Sequence, residues 1–190
     1  MLNAIALIVV LPLSAHLLAH NYSLSFQDLY DLIGNNVASG NGYRVEPGMA
    51  TTMVREPGYP LLLALVFKFA GYHIEAARIL NLFLAFGSGI LLFALTRKIT
   101  DDEKVALTST LLFLFYPGTW VAEARGGVEI VFTFSILLFM VSLYRAMETN
   151  KSSSYFVAGL LIGISVLIRS EVLFFPVFVC GYLLLSSSGS

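Results

Sequence analysis

An all-α fold is what this sequence predicts: a polytopic bundle of transmembrane helices, with amphipathic juxtamembrane helices in its first extracytoplasmic loop. Charged residues make up 12% of the chain and hydrophobic ones 57%, whereas about a quarter of a soluble domain is charged. Mean hydropathy is +0.82, on the membrane side of the same divide. The apolar residues also fall into runs near the ~20 residues a helix needs to cross hydrocarbon, which leaves room for about five or six spans and one sizeable loop. The chain therefore reads as a single transmembrane domain, with a first span in 1–20, a polar-bearing loop over 21–71 and four to five further spans over 72–190.

The first run has no positively charged start and no cleavage site leading to a soluble domain, so it reads as a retained span. His16 and His20, at its end, read as interfacial side chains. Residues 24–37 follow as an amphipathic helix lying on the membrane surface. Phe26, Leu29, Tyr30, Ile33 and Val37 recur at helical spacing, with Asp28, Asp31 and Asn35 on the opposite, solvated face. Ser25 suits the N-cap with Asp28 three residues on, and Gly40 with Asn41-Gly42 ends the helix and turns the chain.

Arg44, Glu46, Arg55 and Glu56 lie in the loop that closes this segment. Pro57, Gly58 and Pro60 then impose a bent entry, because proline suits a helix's first turn and restricts the residue before it. The apolar stretch 61–70 is too short to cross and reads as interfacial or re-entrant. Further spans are expected at 79–96, 105–121, 128–144 and 155–185, the last long enough to be two helices broken near Arg169-Ser-Glu171. The connections 97–104 and 145–151 hold five of the eleven basic residues, which places both in the cytoplasm and loop 21–71 outside, provided 61–70 does not cross.

Several function classes drop out. A net charge of −1 with no basic block leaves no footprint for nucleic acid. No glycine-rich phosphate loop, zinc spacing or nucleophile elbow supports an ATP-driven or hydrolytic reading. Cys180 is alone and makes no internal disulfide, and the acceptor-like triplets at Asn21 and Asn150 are short enough to arise by chance.

Asp28-x-Tyr30-Asp-x-Ile33, Ala38-Ser-Gly-Asn-Gly-Tyr43 and Arg55-Glu-Pro-Gly-Tyr-Pro60 resemble the first extracytoplasmic loop of the membrane-embedded GT-C glycosyltransferases. The branch they resemble contains the protein O-mannosyltransferases and the lipid A aminoarabinose transferases. Phe69-Ala-Gly-Tyr-His-Ile-Glu-Ala-Ala-Arg78 and Gly159-Leu-Leu-Ile-Gly-Ile-Ser-Val-Leu-Ile-Arg169 are similar to later passages of that family, in the same order. The resemblance implies transfer of a sugar from a polyprenyl-phosphate-linked donor to a protein, glycolipid or glycan acceptor on the extracytoplasmic face. It also implies a multi-pass protein of the plasma (inner) membrane, with a prokaryotic host favoured. Members are longer, so this chain reads as an N-terminal portion.

Carried over residue by residue, the resemblance makes Asp28 a candidate base at a position shifted from the family's spacing, with Asp31 its rival. It makes Arg55 the donor-phosphate residue and Glu129 a second acid. Each has a plainer reading: Asp28 as a cap, Asp31 as a solvated face, Arg55 as a snorkelling cation and Glu129 as an acid suited to a helix N-terminus. Glu56 would hold a cation or pair with a neighbouring arginine, Glu123 and Arg125 would pair locally, and Arg169 with Glu171 would form a surface turn. No cofactor is called for; a divalent cation is compatible with the chemistry, though no ligand set for one stands out. The rival function is a non-catalytic membrane subunit or transporter fragment that binds lipid phosphate.

Overall fold

The computed structural model describes residues 29–124 and 127–187, apart from the side chains at 120, 121, 123, 124 and 183–187. The expected first span, His16, His20, the Ser25 cap, Asp28 and the Glu123–Arg125 pair lie outside what is described. The regular elements of the described residues are all helices: α1 (Tyr30–Ala38), α2 (Gly58–Ala70), α3 (Ile74–Thr100), α4 (Glu103–Phe115), α5 (Pro117–Ala124), α6 (Val128–Thr149), α7 (Ser152–Ile168), a 3-10 turn (Ser170–Val172) and α8 (Phe175–Ser187). With α3 and α6 long and apolar enough to cross a membrane, this is the membrane helix bundle expected from hydropathy.

Two contacts show that α3 and α6 run parallel. Asn81, two turns into α3, donates through Nδ2 to the Gly127 carbonyl at the start of α6 at 2.8 Å. At the far ends Lys98 meets Glu148 at 2.5 Å and lies over the Tyr144 ring. The basic connections 97–104 and 145–151 therefore share one end of the bundle. The reversals use residues that tolerate left-handed backbone, Asp101 at φ 52° and Asn150 at φ 48°. Asp102 then caps α4 by accepting the amide hydrogens of Lys104 and Val105.

The opposite end is organised by α2. This helix of 13 residues, about 20 Å long at 1.5 Å per residue, is shorter than the hydrocarbon core. Its first residue packs on the last turn of α7, and its last leads through Gly71 into α3, so both its ends lie at the Asn81–Gly127 end. Accordingly α2 crosses the end of the bundle rather than passing through it. A core of Tyr30, Tyr59, Leu63, Ala77, Val131 and Ile168 joins α1, α2, α3, α6 and α7 there.

Gly58 permits the close approach, because a Cβ on it would stand 2.7 Å from the Leu167 carbonyl oxygen and 2.8 Å from the Ile168 nitrogen. Backbone atoms cannot step aside, so Gly58→Val is expected to cost about 1–3 kcal/mol of stability, as overpacking does. A thermal melt of the detergent-solubilised variant would check this, and an unchanged melting temperature would refute it.

Two expectations need correction. The run 105–121 is not one span: α4 stops at Phe115 and α5 starts at Pro117. Proline has no amide hydrogen for the ladder and pushes the residue before it to extended backbone, as found for Tyr116 at φ −67° and ψ 122°. The span expected at 79–96 starts earlier, at Ile74, which brings Arg78 inside the helix, where it is buried as Asn81 is. The final run does break at Arg169, before the 3-10 turn.

Candidate functional site

The two acids and the arginine that can be placed all lie at the α2 end of the bundle. Asp31 sits in the first turn of α1, and here the structure overturns the solvated-face expectation: the residue is only 4% exposed. The helix packs on α2 through Gly34, whose missing side chain lets Leu63 and the Pro60 carbonyl come close. Asp31 lies three residues before Gly34 on the same side and is covered with it. Its Oδ2 accepts the Tyr72 hydroxyl at 2.5 Å, while Oδ1 has no hydrogen-bond partner among the described residues. Burial raises the Asp31 pKa, opposed by the Tyr72 bond. Tyr72→Phe would leave both oxygens unpaired at a cost of about 1–3 kcal/mol, measurable as a lower denaturation midpoint.

The loop from Ser39 to Pro57 is tied down at several points. Buried Asn36 donates to the Arg44 and Val45 carbonyls at 3.0 and 2.9 Å. Tyr43 shares its hydroxyl hydrogen between the Arg55 and Glu56 carbonyls at 2.9 and 3.1 Å. Burial, with smaller contributions from Tyr30 and the Glu56 charge, pushes the Tyr43 pKa up to about 12, so it remains a donor at neutral pH. Held this way, Arg55 places its guanidinium carbon 5.1 Å above the Tyr30 ring. Glu56 accepts the Ser170 hydroxyl at 2.9 Å, and its other oxygen stands 3.5 Å from the Tyr30 hydroxyl. Glu56 thus reaches across to the break after α7, a destination the sequence reading had not considered.

Glu129 is exposed at the start of α6, its carboxylate folded against Gly127. Tyr59, 1% exposed, lies in the first turn of α2. Burial pushes its hydroxyl above the ordinary phenol range, and the charge of Glu129, then that of Asp31, adds to this. Arg169 pairs with Glu171 at 2.9 Å in the expected turn and lies over the Phe132 ring. Among the described residues, no three histidine, cysteine, aspartate or glutamate side chains converge to hold a metal ion.

Two acids and an arginine at one end of a membrane helix bundle are compatible with several chemistries, and comparison with known families narrows them. The family model for dolichyl-phosphate-mannose-protein mannosyltransferase matches residues 54–190. The chain belongs to this family. It is thus a membrane protein of a glycosyltransferase family. No curated protein and no solved structure gives a significant match. The mannosyltransferase match opens one residue before Arg55, so Arg55, Glu56, Glu129 and Ser170 fall inside it and Asp31 falls outside.

Other residues of this candidate site were missed in the sequence. Tyr30 was read as core, yet its ring carries Arg55. Tyr72 was noted only within the family-like passage 69–78, yet it holds Asp31. Both are tyrosines inside the quoted motifs, and an apolar body with a polar tip was the available signal.

Proposed function

We propose that the chain transfers a sugar from a polyprenyl-phosphate-linked donor to an acceptor on the extracytoplasmic face, by direct displacement at the anomeric carbon. A loop aspartate takes the acceptor proton as the acceptor oxygen attacks, and Arg55 stabilises the lipid phosphate as it leaves. The observation that carries this reading is that Arg55, fixed over Tyr30, stands at the same end of the bundle as Asp31 and Glu129, in a chain of this family.

Asp31 is suited to the base role by its raised pKa and its one unengaged oxygen, since a base works best with a pKa near the working pH. Asp28 stays beside it as the alternative base from the motif. Glu129, exposed at the same end, is the second acid. The forked guanidinium of Arg55 suits a phosphate better than an ammonium would. We place this end outside and the basic end in the cytoplasm of a multi-pass plasma-membrane protein of a prokaryote, following the positive-inside bias. The acceptor is a protein, glycolipid or glycan, and the family's name points to mannose as the first sugar to test.

Turnover is the test. Purified chain in proteoliposomes receives a radiolabelled polyprenyl-phosphate sugar and a mixture of the three acceptor classes. Label appearing on an acceptor supports the transferase reading. Binding of the lipid phosphate with no sugar released in any mixture supports a non-catalytic subunit instead.

A further inference from the structure

We propose that Glu56 is a positioning residue which, with Ser170, clamps the Arg55-bearing loop onto the break after α7 and so fixes where the Arg55 guanidinium stands. The inference rests on reading Arg55 as the donor-phosphate residue.

The sequence offered two roles for Glu56, a cation ligand or an arginine's partner. The structure instead makes it a junction of three segments. One oxygen takes the Ser170 hydroxyl, from a residue 114 positions away. The backbone amides of Glu56 and Ser170 also favour the charged form of this carboxylate. The second oxygen faces the Tyr30 hydroxyl on α1, whose ring lies under the Arg55 guanidinium.

These donors hold the carboxylate in its charged form: the pKa is lowered, first by the Glu56 amide, with Ser170 and Tyr30 adding to it against the cost of burial. A carboxylate so satisfied is a poor proton acceptor, which argues against its being the base. Its geometry is that of a tether.

Two further contacts make the tether effective. Gly58 brings the backbone of α2 onto that of α7 at Leu167 and Ile168, so the chain just after Glu56 is already docked there. From the other side, Tyr43 binds the Arg55 and Glu56 carbonyls. The peptide bearing Arg55 is thus gripped on both flanks. Among the described contacts of this grip, the Ser170 hydroxyl can be removed without touching the loop or Arg55.

The experiment compares wild type, Ser170→Ala and Ser170→Thr as full chains in lipid nanodiscs. Amide hydrogen exchange is followed over residues 52–58, and binding is measured with decaprenyl phosphate and with decaprenol. Ser170→Ala is expected to speed exchange in that segment and to weaken decaprenyl phosphate binding about tenfold, within the range of a hydrogen bond to a charged group. Decaprenol binding is expected to stay unchanged, and Ser170→Thr, which keeps the hydroxyl, to restore both properties.

A general loss of structure would weaken both lipids alike, and that result overturns the proposal. It is also overturned if wild type prefers the phosphate but Ser170→Ala binds and exchanges as wild type does, or if Ser170→Thr fails as fully as Ser170→Ala. If wild type itself does not distinguish decaprenyl phosphate from decaprenol, the phosphate role of Arg55 has failed. The proposal then falls with it, whatever the exchange shows.

Discussion

Asp31→Asn is expected to cut sugar transfer by roughly 10²–10⁴-fold, the contribution of a positioned base, while raising the melting temperature at neutral pH. Both effects follow from the burial of one carboxylate. An Asp31 pKa above its ordinary value of 3.8 means that the folded state binds the proton more readily than the unfolded state does. Stability from this group is therefore fully present below 3.8 and is lost as pH rises through the higher folded value. Asparagine does not titrate and removes that loss. The difference in melting temperature between variant and wild type should grow with pH from about the ordinary carboxylate value upward. Parallel pH profiles for the two proteins would show that Asp31 is not a strained carboxylate, and undiminished transfer would pass the base role to Asp28. Loss of function with gain of stability marks a side chain kept at a site for chemistry rather than for the fold.

Arg55→Ala should lower transfer by about 10²–10³-fold, the loss measured when one preorganised donor is removed from a developing oxyanion. Most of it should appear in kcat, because the leaving phosphate gains charge as the glycosidic bond breaks, and ground-state binding of the donor captures only part of that interaction. Arg55→Lys should recover little, since a point charge cannot reproduce the planar fork. The contact of the guanidinium with the Tyr30 ring contributes about 0.5–1 kcal/mol to the fold, small beside the expected loss of transfer. A change confined to KM would reduce Arg55 to a uniform binding contact. A collapse of the melting temperature would make it a structural residue.

The parts of this molecule that were legible in the sequence are those that local chemistry fixes. Pro57, Gly58 and Pro60 announced the bent entry to α2, Gly40 with Asn41-Gly42 the end of α1, and Arg169 the break in the last apolar run. Pro117 carried an equally local signal, but the hydropathy of 105–121 masked it, because a running average of apolarity takes no account of a missing amide hydrogen.

The site was legible only in its membership. Periodicity assigned Asp31 to a face of α1, but that face packs on α2, and the hydroxyl that meets the carboxylate comes from Tyr72, 41 residues further on. Glu56 and Ser170 are further apart still, and a single sequence carries no signal for such a pairing. Arg55 was found by its motif, whereas the ring beneath it came from a residue that the pattern had already assigned to the core.

Leu61, Leu65 and Phe69 leave one edge of α2 bare, at the same end of the bundle as Arg55. Under the transfer proposed above, acyl chains bordering that edge at leaflet depth would complete the wall of the site. A donor carried in that leaflet arrives by sliding sideways in two dimensions and never has to leave the hydrocarbon. The concentration that governs its encounter with Arg55 is therefore its mole fraction among the surrounding lipids, not its molarity in the tube. Diluting the donor with inert lipid at constant volume slows such an encounter, whereas diluting the vesicles with buffer leaves it untouched.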